Sequence, residues 1–163
     1  MNAMVATWIV SATLVPERPR VVCVFSPNNY TYELIRPTGI FAVQMLAQGQ
    51  HLLVPHFGLK SGRQVKKFAD FPLTFTPGGL PLIDGTCGWA ECRVVDEMDS
   101  GDRTIFLADI VHSHLEVGRQ PLRKFAAFGA LPSDVVAALR TKAVNDGKRD
   151  FALIKQFPPL HRT

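Results

Sequence analysis

The chain has 163 residues, of which 47% are hydrophobic and 20% are charged. This balance is typical of one folded domain and excludes intrinsic disorder over most of the chain. The 18 Lys and Arg against 14 Asp and Glu leave a formal net charge of +4, which suits an anionic partner but is too small to indicate nucleic acid.

Cysteine and histidine spacing limits the function further. Cys23, Cys87 and Cys92 form no C-x-x-C pair, so we expect neither a disulfide framework nor a zinc site, and reduced thiols favour a cytoplasmic location. His112 and His114 would share one face of a strand, but no third ligand stands at a recognisable spacing, and we expect no metal. No apolar stretch approaches the roughly 20 residues of a membrane span, and we expect no membrane partner.

Short β-rich runs dominate the first half of the chain. Their residue types predict strands over 4–15, 21–25, 39–46 and 73–76. Asn29 stands at the N-cap position of a short helix predicted over 30–36, which Pro37 should end. A further short helical stretch is predicted over 51–57.

A long hairpin is the clearest element of the second half. Residues 88–97 and 104–117 are β-rich, and Asp-Ser-Gly-Asp at 99–102 supplies the turn between them. Ser133 should cap a helix over 134–143, whose apolar residues have helical spacing. We expect the tail from residue 147, with its Pro158-Pro159 pair, to form an extended arm or to cross to a partner.

Strands outnumber helices, and no strands alternate with long helices. This pattern disfavours a parallel α/β fold and predicts a mainly β protein, a small antiparallel barrel with short flanking helices. We expect a single domain over 1–163, with the barrel over about 1–130 and a C-terminal helix and arm over about 131–163.

Two polar clusters have the residue types of an anion site. Ser61-Gly62-Arg63-Gln64 has the form of a capping box and predicts a helix over 65–68, whose first N–H groups and dipole would attract an anion. Lys60 and Arg63 would bracket a phosphate, and Gly62 would let it approach the backbone. The second cluster consists of Ser26, Asn28, Asn29, Tyr30 and Thr31. A solvated basic turn and simple helix capping are the respective alternatives.

Several segments together resemble the flavin reductase-like family, the FMN-binding split β-barrels. Residues 2–8, NAMVATW, resemble its N-[AG]-M-x-A-[ST]-[WF] motif, and residues 30–41 resemble its tyrosine-threonine, isoleucine and phenylalanine segment. Ser61-Gly62 with Lys67-Phe68 is similar to the loop before its K-F pair. The matches at 57–58, 79–82, 91–92 and 101–102 follow in family order, so that the resemblance extends from residue 2 to about residue 115.

The resemblance implies a homodimer with FMN near the subunit interface and reduction of the flavin by NADH or NADPH. By position, the isoalloxazine ring would lie beside Ala6, Thr7 and Trp8, with Thr7 as the donor to its edge. The ribityl and phosphate groups would meet Ser26, Asn29, Tyr30 and Thr31, and the phosphate also Ser61, Gly62, Arg63 and Lys67. We name no catalytic acid or base, since hydride transfer is chemistry of the cofactor.

The chain departs from the family pattern at Gly101-Asp102-Arg103, where the family has G-D-H, and again at residues 122–125, which lack an aromatic-rich pattern. Arg103 is suited instead to a dinucleotide phosphate. Three functions stay open. The first is an NAD(P)H-dependent flavin reductase serving a monooxygenase or another electron acceptor, and the second is an FMN-holding electron carrier with little NAD(P)H activity. The third, a non-catalytic basic module for nucleic acid, is supported only by the positive charge.

Overall fold

The protein is built mainly from antiparallel strands, and the structure, a computed structural model, describes residues 1–156. In chain order the elements are β1 (Ile9–Ser11), β2 (Arg20–Phe25), α1 (Tyr30–Thr38), β3 (Ile40–Met45), α2 (Leu53–Leu59), β4 (Leu73–Phe75), β5 (Pro81–Ile83), β6 (Gly88–Asp99), β7 (Thr104–Leu115), α3 (Lys124–Ala130) and α4 (Ser133–Ile154). Within residues 1–156, no helix combines the length and the apolar character that crossing a membrane requires.

Five strands form one antiparallel sheet in the order β1-β2-β7-β6-β3, and β4 pairs with β5 separately. β6 and β7 are the long hairpin predicted from the sequence, with Asp99 opposite Thr104 at its turn. The register shifts between Glu91 and Cys92, and again after Val94. Such bulges increase the local twist of a hairpin, so the two long strands bend as they cross the molecule.

The core lies between α1 and one face of the five-stranded sheet. Tyr32 of α1 stacks on Phe106 of β7 with 5.9 Å between the ring centroids. Phe25 of β2 meets Phe41 of β3 edge-on at the same centroid distance, 5.9 Å. Because strand side chains alternate between faces, β2 contributes Cys23 together with Phe25 to this core. Burying an aromatic side chain such as Phe106 contributes about 1.5–3 kcal/mol to folding.

α1 begins after Asn29, as predicted, but Pro37 does not end it. Pro37 lies in the last turn, where its missing N–H removes only one intrahelical hydrogen bond. Thr38 completes the helix, and its hydroxyl donates to the Leu34 carbonyl oxygen at 2.9 Å. The helix stops at Gly39, whose φ of 66° is left-handed and favours glycine.

Two predicted elements of the first half are wrong. The strand predicted over 4–15 is reduced to β1, because only Ile9–Ser11 lies beside β2. The helix predicted over 65–68 does not form. Gln64 and Val65 both donate from their backbone N–H to the Ser61 carbonyl oxygen, at 3.0 and 3.2 Å, and turns follow instead of a helix.

The C-terminal part also differs from its prediction. α3 was not predicted, and α4 begins at Ser133 itself, with Pro132 at the N-cap position. α4 continues through Gly147 to Ile154, so the arm predicted from residue 147 is helical there. A glycine inside a helix costs about 1 kcal/mol relative to alanine, so Gly147 lowers the local stability of α4 without ending it. The prediction for Pro158 and Pro159 lies outside the described residues.

Candidate functional site

Three segments meet beside the start of α1. They are the N-terminal segment (residues 1–8), the β2–α1 connection (residues 26–29) and the basic loop (residues 60–67). The side-chain amide of Asn2 in the N-terminal segment donates to the Thr31 hydroxyl of α1 at 2.8 Å. This contact brings two of the motifs that carried the family resemblance into one place.

Gly62 is required by the packing of this cluster. A Cβ built on Gly62 would lie 2.6 Å from Asn2 Cγ and 3.0 Å from the Tyr30 ring, so a larger residue would displace one of them. The glycine therefore allows the Asn2 side chain to approach the backbone, whereas the sequence predicted that a phosphate would use this space. Asn2 Oδ1 is left as a buried side-chain acceptor without a hydrogen-bond partner among the described residues.

Arg63 joins the basic loop to α1. Its guanidinium pairs with Glu33 and lies 5.4 Å from the centroid of the Tyr30 ring. Arg63 Nη1 also donates to the Asn28 carbonyl oxygen at 3.3 Å. Because the Glu33 carboxylate already balances this charge, Arg63 attracts an anion less strongly than the sequence predicted. Lys60 lies on the same loop, and its side chain is exposed to solvent.

The start of α1 has backbone N–H groups that no capping side chain takes. Asn29 has the extended conformation of an N-cap, but its side chain makes no capping hydrogen bond. The loop is held by Ser26, whose buried hydroxyl accepts from the Asn28 N–H at 3.2 Å and whose carbonyl accepts from the Asn29 N–H at 2.9 Å. The N–H groups of Tyr30 and Thr31 therefore lack a side-chain cap, and the positive end of the helix dipole lies with them.

Lys67 ties the N-terminal segment to α2. The side chain is buried, and Nζ donates to the Ala3 carbonyl oxygen at 2.8 Å and to the Phe57 carbonyl oxygen at 2.9 Å. Burial, and then the charge of Lys142, lower the pKa of Lys67 to about 8. His56 Nε2 lies 2.8 Å from the Lys67 carbonyl oxygen and holds the same corner. The predicted phosphate contact of Lys67 stays a prediction, with one of the three N–H groups left for it.

Trp8 and Arg103 form the other side of the region. The Trp8 side chain is 56% exposed, and the Arg103 guanidinium lies 5.4 Å from its ring centroid. Arg103 Nη1 donates to Asp150 Oδ2 at 2.6 Å and to the Asp102 carbonyl oxygen at 2.7 Å. Asn28 donates to the other oxygen of Asp150 at 2.7 Å, which links Arg103 to the β2–α1 connection.

Most of the predicted site residues therefore lie in one region, although their contacts with a ligand stay predictions. Ala6 and Thr7 precede Trp8 on the N-terminal segment, and Thr7 is exposed. Sequence reasoning missed three residues that organise the region: Asn2, Glu33 and Asp150. Asn2 belongs to the motif at residues 2–8, which could have indicated it. No local pattern indicated Glu33 or Asp150. Their partners, Arg63 and Arg103, are 30 and 47 residues away in the chain.

Known proteins have sequences similar to most of this chain. The sequence model described as "Flavin reductase like domain" matches residues 1–127. The high molecular weight rubredoxin of Moorella thermoacetica is 30% identical over 123 residues, which are 74% of this chain and 53% of the relative. The chain thus spans about half the length of that relative.

Solved structures of two proteins are similar in fold to this chain. The NADH:FAD oxidoreductase SgcE6 of Streptomyces globisporus has a TM-score of 0.66 and 26% identity, covering 72% of this chain and 70% of that one. The FMN-binding protein of Thermus thermophilus with bound p-hydroxybenzaldehyde has a TM-score of 0.65 and 26% identity, covering 72% and 65%.

These similarities agree with the strands and helices described above. They confirm the prediction of a mainly antiparallel split β-barrel with flanking helices. The division into a barrel over about 1–130 and a C-terminal part is a separate prediction, and α4 begins after the last residue that the family model matches. By its sequence over residues 1–127 and by its fold, the chain belongs to the flavin reductase-like family.

Proposed function

We propose that this protein binds FMN and works as an NAD(P)H-dependent flavin oxidoreductase. The observation that carries the proposal is the exposed Trp8 ring with the Arg103 guanidinium over it, beside the uncapped start of α1. The names of two structural neighbours, an NADH:FAD oxidoreductase and an FMN-binding protein, support both the flavin and the nicotinamide.

The residues of the region fit the three chemical parts of FMN. An exposed indole ring such as Trp8 offers a flat apolar surface to the isoalloxazine system. Ser26, Asn29 and Thr31 offer hydroxyl and amide groups to the ribityl chain, and the unpartnered Oδ1 of Asn2 needs a donor such as a hydroxyl. The phosphate would be held by the first N–H groups of α1 and by the cationic groups of Lys60 and Arg63.

The work of the protein in this reaction is binding and orientation. A flavin held by these residues would supply the redox chemistry, taking up the hydride of NAD(P)H together with a proton from solvent. Trp8 would orient the ring system, and the Thr7 hydroxyl would donate a hydrogen bond to its edge. Arg103 is placed for an anionic group of the nucleotide. No side chain has to act as a general acid or base.

A homodimer is part of the proposal. Three apolar side chains on β1 and the loop after it are exposed, namely Val10, Leu14 and Val15, with Leu14 fully exposed. A contiguous apolar patch of this kind is typical of a protein-protein interface. Sedimentation of the protein with and without FMN tests this part, and a monomer under both conditions would contradict it. The cytoplasmic location and a monooxygenase as electron acceptor stay predictions.

Anaerobic titration tests the proposed activity. FMN is added to the purified full-length protein, binding is measured by calorimetry, and NADH or NADPH is then added while flavin absorbance is recorded. Binding followed by bleaching supports the oxidoreductase. Binding without bleaching by either nucleotide would leave an FMN-holding electron carrier. If the protein takes up no FMN, the proposal is wrong.

A further inference from the structure

The one buried residue of α4 is an acid. Asp150 is 2% exposed, whereas the remaining residues of this 22-residue helix are exposed or partly exposed. A carboxylate is expensive to bury unless it is paired and hydrogen-bonded, so its partners must compensate for the lost hydration. α4 also begins beyond residue 127, where the match to the family ends. The family resemblance therefore assigns no role to Asp150.

The partners of Asp150 come from two separate parts of the proposed flavin site. Oδ2 accepts from Arg103 Nη1 at 2.6 Å, and Oδ1 accepts from the Asn28 amide at 2.7 Å. Arg149 Nε lies 3.5 Å from Oδ1. Burial by itself would raise the pKa of Asp150, but the hydrogen bonds from Asn28 and Arg103 and the charges of Arg103 and Arg149 outweigh it and hold that pKa below its usual range. The group is therefore a carboxylate at neutral pH.

The contact with Arg103 constrains a group that faces the site. A guanidinium on an exposed ring is free to leave it, because cation-π contacts at exposed sites are weak. Arg103 is held over Trp8 by three further contacts: hydrogen bonds to Asp150 and to the Asp102 carbonyl oxygen, and an ion pair of Nη1 with the Asp102 carboxylate at 3.1 Å. Of the two carboxylates that pair with Arg103, Asp150 is the closer and the more deeply buried, with a side chain 3% exposed against 30% for Asp102. Charge-assisted hydrogen bonds are roughly twice as strong as neutral ones.

We propose that Asp150 is a positioning residue which α4 contributes to the flavin site, fixing the Arg103 guanidinium over the Trp8 ring. Through Asn28 the same carboxylate holds the β2–α1 connection, so one residue sets the relative positions of two walls. This inference rests on the proposed function for its effect on flavin binding. The arrangement of Arg103 over Trp8 can be measured without any flavin.

The test compares Asp150→Asn with Asp146→Asn. Both substitutions remove one negative charge from α4, but the partners of Asp146 among residues 1–156 are Lys142 and Arg149, at the partly exposed surface of the helix. We expect Asp150→Asn to weaken FMN binding about tenfold, within the range of coupling between contacting residues. Asp146→Asn should bind FMN like the unaltered protein.

A second readout reports on Trp8 itself. The chain has two tryptophans, so a Trp89→Phe background leaves Trp8 as the sole emitter. In that background, without flavin, Asp150→Asn should shift the Trp8 emission and increase its quenching by acrylamide, because the guanidinium no longer covers the ring. Unchanged Trp8 emission and quenching in a folded Asp150→Asn protein would overturn the inference, whether or not FMN binds.

A double variant tests whether Asp150 acts through Arg103. If it does, Arg103→Gln with Asp150→Asn should bind FMN as weakly as Arg103→Gln alone, whereas independent effects would multiply and contradict the inference. If Asp150→Asn alone does not fold, the double variant takes its place in the FMN-binding measurement. It removes both charges of the buried pair and so leaves no unpaired charge inside the protein. If the unaltered protein binds no flavin, the proposed function fails, and the Trp8 measurement still decides the role of Asp150.

Discussion

Lys67 Nζ donates a hydrogen bond to the Ala3 carbonyl oxygen at 2.8 Å, across 64 positions of sequence. The same ammonium donates to the Phe57 carbonyl oxygen at 2.9 Å, so one buried lysine attaches the N-terminal segment to the end of α2. Trp8 belongs to that segment. The position of the proposed flavin-facing ring therefore depends on a lysine that lies inside the protein.

Replacing this lysine should loosen the N-terminal segment. Lys67→Met keeps most of the side-chain volume but leaves the Ala3 and Phe57 carbonyl oxygens without a donor. A buried unsatisfied polar group costs about 1–3 kcal/mol, so we expect a loss of that size in the free energy of unfolding, measured with urea. Amide exchange over residues 1–8 should accelerate as well. The neighbouring exposed Lys66→Met is the control, and an equal loss there would contradict this explanation.

The lowered pKa of Lys67 should also make the free energy of unfolding depend on pH. Because the pKa of Lys67 is lowered from 10.5 to about 8 in the folded protein, the unfolded chain binds more protons between these two values. The free energy of unfolding should therefore rise with pH through this window, and below pH 8 the cost of burying the charge is fully present. Urea titrations from pH 7 to 11 should show a smaller rise for Lys67→Met than for the unaltered protein. Parallel curves would rule out this contribution.

Gly62→Ala should disturb the contact between the basic loop and the N-terminal segment. The added Cβ would overlap the Asn2 side chain, and overpacking of this kind costs about 1–3 kcal/mol. We expect a lower melting temperature and weaker FMN binding. Gly129→Ala on α3 is the matched control, because nothing lies within 4 Å of its Cβ. Adding Asn2→Gly should restore much of the stability of Gly62→Ala, and failure of this rescue would point to another clash.

Trp8→Ala should separate flavin binding from stability. The ring is 56% exposed, so removing it should change the free energy of unfolding little while weakening FMN binding about tenfold, as loss of an aromatic stacking contact does. Phe125→Ala on α3 removes another exposed ring, at 89% exposure, and should not affect FMN binding. Calorimetric titration measures both variants. Unaltered FMN affinity in Trp8→Ala would remove the ring from the proposed site.

Glu91 should make the protein sensitive to acid. The hydrogen bond from the Thr76 hydroxyl lowers the pKa of this buried carboxyl below 4.5, burial opposes the effect, and the bond from the Gly78 N–H lowers it further. The resulting stabilisation is present above pH 4.5 and is lost as the pH falls through the folded-state pKa. Glu91→Gln should unfold with a weaker dependence on pH between 3 and 6 than the unaltered protein. An identical dependence would show that other carboxyl groups dominate.

Local sequence patterns predicted the elements whose partners are close in the chain. The hairpin of β6 and β7 and the N-cap position at Asn29 follow from turn chemistry and alternation, which act over a few residues. The helix predicted over 65–68 failed for the opposite reason. Its capping-box residues are present, but the segment forms turns, and Lys67 donates hydrogen bonds to carbonyl oxygens of two other segments, which local sequence does not reveal.

The features of the candidate site also fall into two groups, those that local sequence indicated and those that it could not show. Several short motifs in family order, among them those at residues 2–8 and 30–41, indicated the family, because each motif is contiguous in the chain. The sequence could not show that Gly62 makes room for Asn2, or that Asp150 lies against Arg103. Those contacts join residues 60 and 47 positions apart, and only the packing of the whole chain decides which distant polar groups are buried together and must satisfy each other.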